Sequence, residues 1–156
     1  MKVIKAPNRE KSNGFSVFLA GSIDMGEAEN WQEQIEKVLK DTDVTVFNPR
    51  RDDWDSSWEQ DISNDQFREQ VQWELDRLEE ANLIIVYFDP KGKAPITLLE
   101  LGLHAGSNVV VCCPDGYWRK GNVQIVCDRY EMPLLETLEE LISVLKIYTM
   151  LSDLRS

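Results

Sequence analysis

The segment "NLIIVYF" (82–88) constrains the fold most strongly, because it is a short, continuous run of apolar and aromatic residues. A run of this length without polar alternation is typical of a strand that is buried on both faces of a parallel sheet. Comparable runs occur in "GFSVFLAGS" (14–22), "DVTVFNP" (43–49) and "NVVVCC" (108–113). We therefore expect four central strands.

Segments with a helical spacing of apolar residues separate these strands. They cover 27–41, 64–81, 95–106 and 134–151, and 121–130 is either a short helix or irregular. On the segment 64–81 the predicted inward stripe is Phe67, Val71, Leu75 and Leu78. Strands that alternate with helices predict a three-layer α/β fold of the Rossmann or flavodoxin-like type, with a mostly parallel sheet of four to five strands. We expect residues 1–156 to form a single domain.

Composition and charge limit the partners and the compartment. The chain has 42% hydrophobic residues and a formal net charge of −11, so duplex nucleic acid is an unfavourable partner, although one small anion held by an arginine is compatible with it. No apolar run is long enough for a membrane span and no secretory leader is evident, which favours the cytoplasm. Cys112, Cys113 and Cys127 are expected to be reduced, buried thiols, and with His104 as the single histidine we predict neither a metal site nor a cofactor.

Ligands of such sheets bind beyond the carboxyl ends of the strands, which selects a set of candidate residues. The turn "AGSIDMG" is a tight turn or a ligand-contacting one, and it lacks the pattern of a dinucleotide or P-loop motif. Aromatic residues near the strand ends, including Tyr117 and Trp118, suit stacking on a planar base. The predicted substrate-binding residues from these strand ends are Gly21, Ser22, Asn48, Arg50, Asp53, Trp54, Phe88, Asp89 and Thr97.

Glu100 stands in the stretch "PITLLELGLHAG" (95–106), a helix that is apolar on nearly all sides and is therefore predicted to be buried. A buried carboxylate must be hydrogen-bonded, be paired or line a cleft. Two interpretations follow: an ion pair with His104 or a remote lysine, or a working carboxylate in a cleft.

Glu74 repeats this conflict, since it lies beside Leu75 on the predicted apolar stripe of the preceding helix. Two carboxylates in one pocket are the groups that glycosidic bond chemistry uses, one at the anomeric carbon and one moving protons. A purely structural role for Glu74 is the alternative.

Three segments, "VFLAGSI", "QVQWELDRLEEANLIIVYF" and "PITLLELGLHAG", together resemble the nucleoside 2-deoxyribosyltransferase family, especially its deoxyribosyltransferase-like branch, over about residues 15–128. The resemblance implies that Glu100 is the nucleophile that displaces the base of a nucleoside and forms a covalent glycosyl-enzyme. It implies that Glu74 holds or protonates the substrate and that Gly21 and Ser22 line the pocket. It further implies a homo-oligomer whose subunits complete each other's sites, with Asn122 as a possible contributor.

The resemblance also has departures. The usual transferases carry an Asp-Gly-Thr-like run before the nucleophile helix, whereas this chain has Ala94, Pro95, Ile96 and Thr97. The related deoxynucleotide N-hydrolases bind a 5'-phosphate, for which Arg50, Arg51 or a lysine of "KGK" is available. Three functions are therefore weighed: an N-glycosyl transferase or hydrolase acting on nucleosides or nucleotides, a non-catalytic nucleotide-binding module, and a flavin or redox protein, which the first turn does not favour.

Overall fold

The computed structural model describes residues 1–22 and 30–153. Within these residues the elements are β1 (Lys2–Lys5), β2 (Phe15–Gly21), α1 (Trp31–Leu39), β3 (Val44–Asn48), α2 (Asp65–Glu80), β4 (Leu83–Tyr87), α3 (Pro95–Leu103), β5 (Val109–Cys112), α4 (Lys120–Arg129), β6 (Leu134–Leu135) and α5 (Leu138–Asp153). Residues 23–26 of the "AGSIDMG" turn, and the predicted start of the first helix at 27–29, lie outside the described residues.

The strands form one parallel sheet in the order β1-β3-β2-β4-β5-β6. The α/β prediction is confirmed, although the described residues contain six strands where four to five were expected. The chain moves from β2 outward to β3 and then returns to place β4 on the other side of β2. This reversal between β2 and β4 is the position at which a parallel sheet opens a crevice beyond its strand ends.

Helices cover both faces of the sheet. The apolar side chains of α2, α3 and α4 share one core with alternate residues of the strands, for example Trp73, Leu101 and Val123. Those of α1 and α5 share the other core, which contains Trp31 and Leu141. The three predicted layers are therefore present, and the buried free thiols of the cysteines lie within them, as expected.

The buried face of α2 differs from the predicted stripe. Leu75 is exposed, whereas Gln70, Trp73 and Arg77 are buried along with Leu78. Arg77 can be buried because its guanidinium donates to the carbonyls of Asn8 and Glu10 at 3.2 and 2.9 Å and pairs with the carboxylate of Glu80. The helix is therefore rotated relative to the orientation that apolar spacing alone predicts.

The prediction that α3 is buried on nearly all sides is wrong. Thr97 and Leu101 face the core, but Ile96, Leu99 and Leu103 are each 59% exposed. Helix α3 therefore lies on the surface of the layer with one apolar side toward solvent. None of the described helices is both long and apolar enough to cross a membrane.

Candidate active site

Glu74 and Glu100 project from two helices that pack on the same strand, β2. Helix α2 begins at Asn64, whose side chain accepts a hydrogen bond from the amide of Phe67 at 2.9 Å. Helix α3 begins with Pro95, directly after Ala94, which has a left-handed backbone with φ of 45°. Both helices run from the carboxyl edge of the sheet back along its face. Their two carboxylates are thereby brought together beside the point of chain reversal.

The carboxyl group of Glu100 is partly buried and is the most perturbed acid of the site. Burial raises its pKa from 4.5 to about 8, and the negative charge of Glu74 adds to the increase. The pKa of Glu74 is also raised by burial, while a hydrogen bond from Gln70 opposes the increase. Because the charge of Glu74 acts on Glu100, the two groups titrate as a coupled pair.

Of the two interpretations of Glu100, the ion pair finds no support. Within residues 1–22 and 30–153, no lysine, arginine or histidine lies within ion-pair distance of either carboxylate. His104 meets Glu100 only through the main chain, where its amide donates to the Glu100 carbonyl at 3.1 Å. Two partly buried carboxyl groups without a cation partner lower the stability of the fold. Such groups are typical of functional sites.

Gly21 is the last residue of β2, and Ser22 follows it. A Cβ atom on Gly21 would lie 2.6 Å from both the Trp31 ring and the Tyr87 carbonyl, so only glycine allows this close approach. The hydroxyl of Ser22 is buried and has no hydrogen-bond partner among the described residues. Since strand residues alternate between faces, Ser22 follows Phe18 and Ala20 on the side of α2 and α3.

Asn48 is the last residue of β3 and Arg50 follows the strand, and both are held in place by polar side chains. The amide of Asn48 donates to Glu36 at 2.7 Å, and its oxygen accepts from the Arg50 main-chain amide at 2.9 Å. The Arg50 Nε atom donates to the Gln32 side-chain oxygen at 3.1 Å. The Gln32 Nε2 atom is buried without a partner among the described side chains. These residues place a cation at the carboxyl edge of the sheet without a carboxylate partner in the described part of the chain.

Asp53 and Trp54 lie further along the same loop. Asp53 is exposed and pairs with Arg51 at 2.7 Å, while Arg51 also binds Glu69 of α2 at 2.9 Å. The rings of Trp54 and Trp58 meet edge to face with centroids 5.1 Å apart. Arg51 therefore anchors this loop to α2, and its charge is already neutralised.

The predicted residues that follow β4 are buried. The Phe88 ring is fully buried with its centroid 4.7 Å from that of Tyr117, which is a packing environment. One Asp89 oxygen accepts from the Lys91 amide at 2.8 Å and closes a turn. Thr97 faces the core one turn before Glu100. Substrate contacts of these residues remain predictions.

Asn122 lies apart from the other predicted site residues. It is exposed in the first turn of α4, and no described contact links it to the carboxylate pair. Its contribution to a neighbouring subunit remains a prediction, as does the homo-oligomer itself. No group of three or more histidine, cysteine, aspartate or glutamate side chains in the described ranges is arranged to hold a metal ion.

Gln70 is the site residue that the sequence interpretation missed. Its Nε2 atom donates to the Pro49 carbonyl and to Glu74 Oε1, both at 2.9 Å. Its spacing was the available signal, because Gln70 is four residues before Glu74 and three after Phe67 on the helix. A glutamine on a helix rich in charged residues is ordinarily exposed to solvent, so the residue type alone did not indicate that Gln70 is buried.

The sequence and the fold are each similar to known proteins. The sequence model described as nucleoside 2-deoxyribosyltransferase like matches residues 14–117, two thirds of the chain, and this range contains Gly21, Glu74 and Glu100. The crystal structure of a conserved protein from Enterococcus faecalis V583 is similar in fold, with a TM-score of 0.61 and 14% identity, covering 87% of this chain and 99% of that one. No curated protein matches the sequence. The chain belongs to the nucleoside 2-deoxyribosyltransferase-like family.

Proposed function

We propose that this protein cleaves or exchanges the N-glycosidic bond of a (deoxy)nucleoside or nucleotide through a covalent intermediate on Glu100. The observation that carries the proposal is the pair of partly buried carboxyl groups, Glu74 and Glu100, whose charges interact beside the chain reversal of the sheet, and the proposal assigns this pair one shared proton. Family membership supports the same reaction class. The proposed chemistry needs no cofactor.

The shared proton fits a double displacement. As substrate binds, Glu100 passes its proton to Glu74 and becomes the anion that attacks the anomeric carbon. The bond from that carbon to the base breaks, its electron pair goes to the base nitrogen, and Glu74 supplies the proton. In the second step water or another base attacks the anomeric carbon and releases Glu100. Glu74 accepts the proton of the incoming group, and the proton then returns to Glu100.

The test is release of free base from a panel of deoxynucleosides and their 5'-monophosphates, followed by chromatography. Glu100→Ala is expected to lower base release by roughly 10³-fold or more, because it removes the nucleophile. It is expected to leave the fold intact, since a buried carboxyl group without a cation partner does not stabilise it. Glu79→Ala, which removes an exposed carboxylate from α2, is the matched control and should keep full activity.

Further outcomes separate the alternative functions. Adding a second free base distinguishes exchange from hydrolysis: a new nucleoside indicates transfer, and free sugar alone indicates hydrolysis. Thermal stabilisation by nucleotides without base release, unchanged by Glu100→Ala, would instead establish a binding module. Full turnover by Glu100→Ala would refute the assignment of the nucleophile.

A further inference from the structure

Gln70 connects the acidic pair to the loop that follows β3. It is 5% exposed, although its neighbours Glu69 and Val71 on α2 are not buried. Its Nε2 atom carries two hydrogens, and both are used: one binds the Pro49 carbonyl and the other binds Glu74 Oε1, each at 2.9 Å. One side chain therefore fixes the position of the Glu74 carboxyl group relative to the end of β3.

The orientation of this amide is determined by Pro49. A main-chain carbonyl only accepts hydrogen bonds, so the nitrogen of the Gln70 amide must face it. Rotating the amide to offer its oxygen to a protonated Glu74 would place that oxygen against the Pro49 carbonyl. Gln70 therefore acts toward Glu74 as a donor, and a donor stabilises the ionised carboxylate over the neutral acid.

No cation competes for this role among the described residues. Glu100 of α3 is the titratable group that faces Glu74 from a neighbouring helix, and it opposes the charge on Glu74. In the loop after β3, Arg51 is neutralised by Asp53 and Glu69, and Arg50 donates to Gln32. Among the described residues, the amide hydrogen of Gln70 is therefore the group that favours charge on Glu74 over charge on Glu100.

We propose that Gln70 is a positioning residue of the reaction, which clamps Glu74 to the loop after β3 and keeps it as the charged member of the pair. The inference rests on the proposed function, because it assigns the resting state from which that reaction starts. Glu100 then waits in its neutral form, which reduces the repulsion between the two carboxyl groups. Substrate binding moves the proton across to Glu74, and Gln70 returns the pair to its resting state after each turnover.

The buried oxygen of Gln70 is consistent with this role. Gln70 Oε1 has no hydrogen-bond partner within the described ranges. An unpartnered buried acceptor lowers the stability of the fold. The Gln70 side chain carries this cost while its nitrogen donates to Pro49 and Glu74. A glutamine that served packing alone would be replaced by an apolar side chain at lower cost.

The first measurement follows the carboxyl carbons of the intact protein by NMR as pH is raised. Glu74 is expected to lose its proton at lower pH than Glu100. The two NMR signals are assigned with Glu74→Gln and Glu100→Gln. In Gln70→Leu, which has a similar size but no donor, the titration of Glu74 is expected to move to higher pH by about one unit or more. Gln72→Leu, an exposed site on the same helix, is the matched control and should leave both titrations in place.

The second measurement is the pH dependence of base release. A pair that needs one proton gives a bell-shaped profile of kcat/KM. Gln70→Leu is expected to move the acidic limb of this profile upward and to lower kcat by roughly tenfold or more, with KM changed little. If Gln70 only supported the fold, Gln70→Leu would change the amount of active protein and leave the pH of the acidic limb unchanged.

The outcomes keep the two proposals separate. If no base is released from any substrate, the proposed function fails, and the NMR titration still decides the role of Gln70. If Glu100 loses its proton before Glu74 in the unsubstituted protein, the inference about Gln70 is overturned whether or not the protein is an enzyme. That measurement needs no Gln70 variant, so it can overturn the inference even if Gln70→Leu does not fold.

Discussion

Replacing Glu100 with glutamine should change how the stability of the protein depends on pH. The pKa of Glu100 is raised from 4.5 to about 8 by burial and by the charge of Glu74. Between these pH values the folded protein retains a proton that the unfolded chain has released. The free energy of unfolding therefore falls as pH rises, by at most about 1.4 kcal/mol per pH unit.

The total effect follows from the same two values. The gap between 4.5 and about 8 corresponds to roughly 5 kcal/mol, of which roughly 3 kcal/mol has been lost by pH 7. Below pH 4.5 the group is neutral in both states and contributes no penalty. Above about pH 8 it is charged in both states and the penalty is complete. A loss of this size is a large part of the 5–15 kcal/mol that typically stabilises a domain, so it is measurable.

The assay is urea unfolding between pH 5 and pH 9 for the unsubstituted protein and for Glu100→Gln. The variant cannot ionise at this position, so its stability relative to the unsubstituted protein should increase with pH and level off above about 8. Glu79→Gln removes an exposed carboxylate and should give a constant difference. Parallel stability curves for Glu100→Gln would refute the placement of Glu100 in a costly environment.

Two further substitutions test other predicted site residues. Gly21→Ala places a methyl group 2.6 Å from both the Trp31 ring and the Tyr87 carbonyl, so it is expected to lower stability by about 1–3 kcal/mol in urea unfolding. An unchanged midpoint would mean that the end of β2 is less tightly packed than described. Arg50→Gln is expected to weaken calorimetric binding of a deoxynucleoside 5'-monophosphate by about tenfold, while binding of the nucleoside changes little. Arg68→Gln, which removes an exposed arginine from α2, is the control, and an equal loss for both ligands would rule out a phosphate contact at Arg50.

The layers of the fold were predictable because the central strands are continuous apolar runs. β1 was missed because "KVIK" is short and charged at both ends, and its pairing with β3 is a long-range contact that no local pattern records. β6 has two residues, Leu134 and Leu135, and such a length gives no periodic signal. The helix predicted from 134 begins instead at Leu138.

The carboxylate pair was predictable and its surroundings were less so. Glu74 and Glu100 stood out as charges among apolar residues, which a sequence shows directly. The buried face of α2 was misplaced because Gln70 and Arg77 are buried through hydrogen bonds to Pro49 and to the N-terminal segment, and such bonds depend on tertiary structure. Apolar spacing reports hydrophobic burial, so it overlooks polar residues that are buried in this way.

Ala94 limits how the stretch before Glu100 can vary. Its left-handed backbone, with φ of 45°, is unfavourable for residues that carry a Cβ atom, and it turns the chain into Pro95 and the helix that carries Glu100. Glycine adopts this conformation without strain, and asparagine and aspartate adopt it more readily than alanine, whereas β-branched residues are strongly disfavoured. The backbone conformation at the start of α3 therefore restricts which residue types are favourable at position 94. The residue type at position 94 is consequently set by the conformation of this turn, and it is a poor guide to ligand recognition.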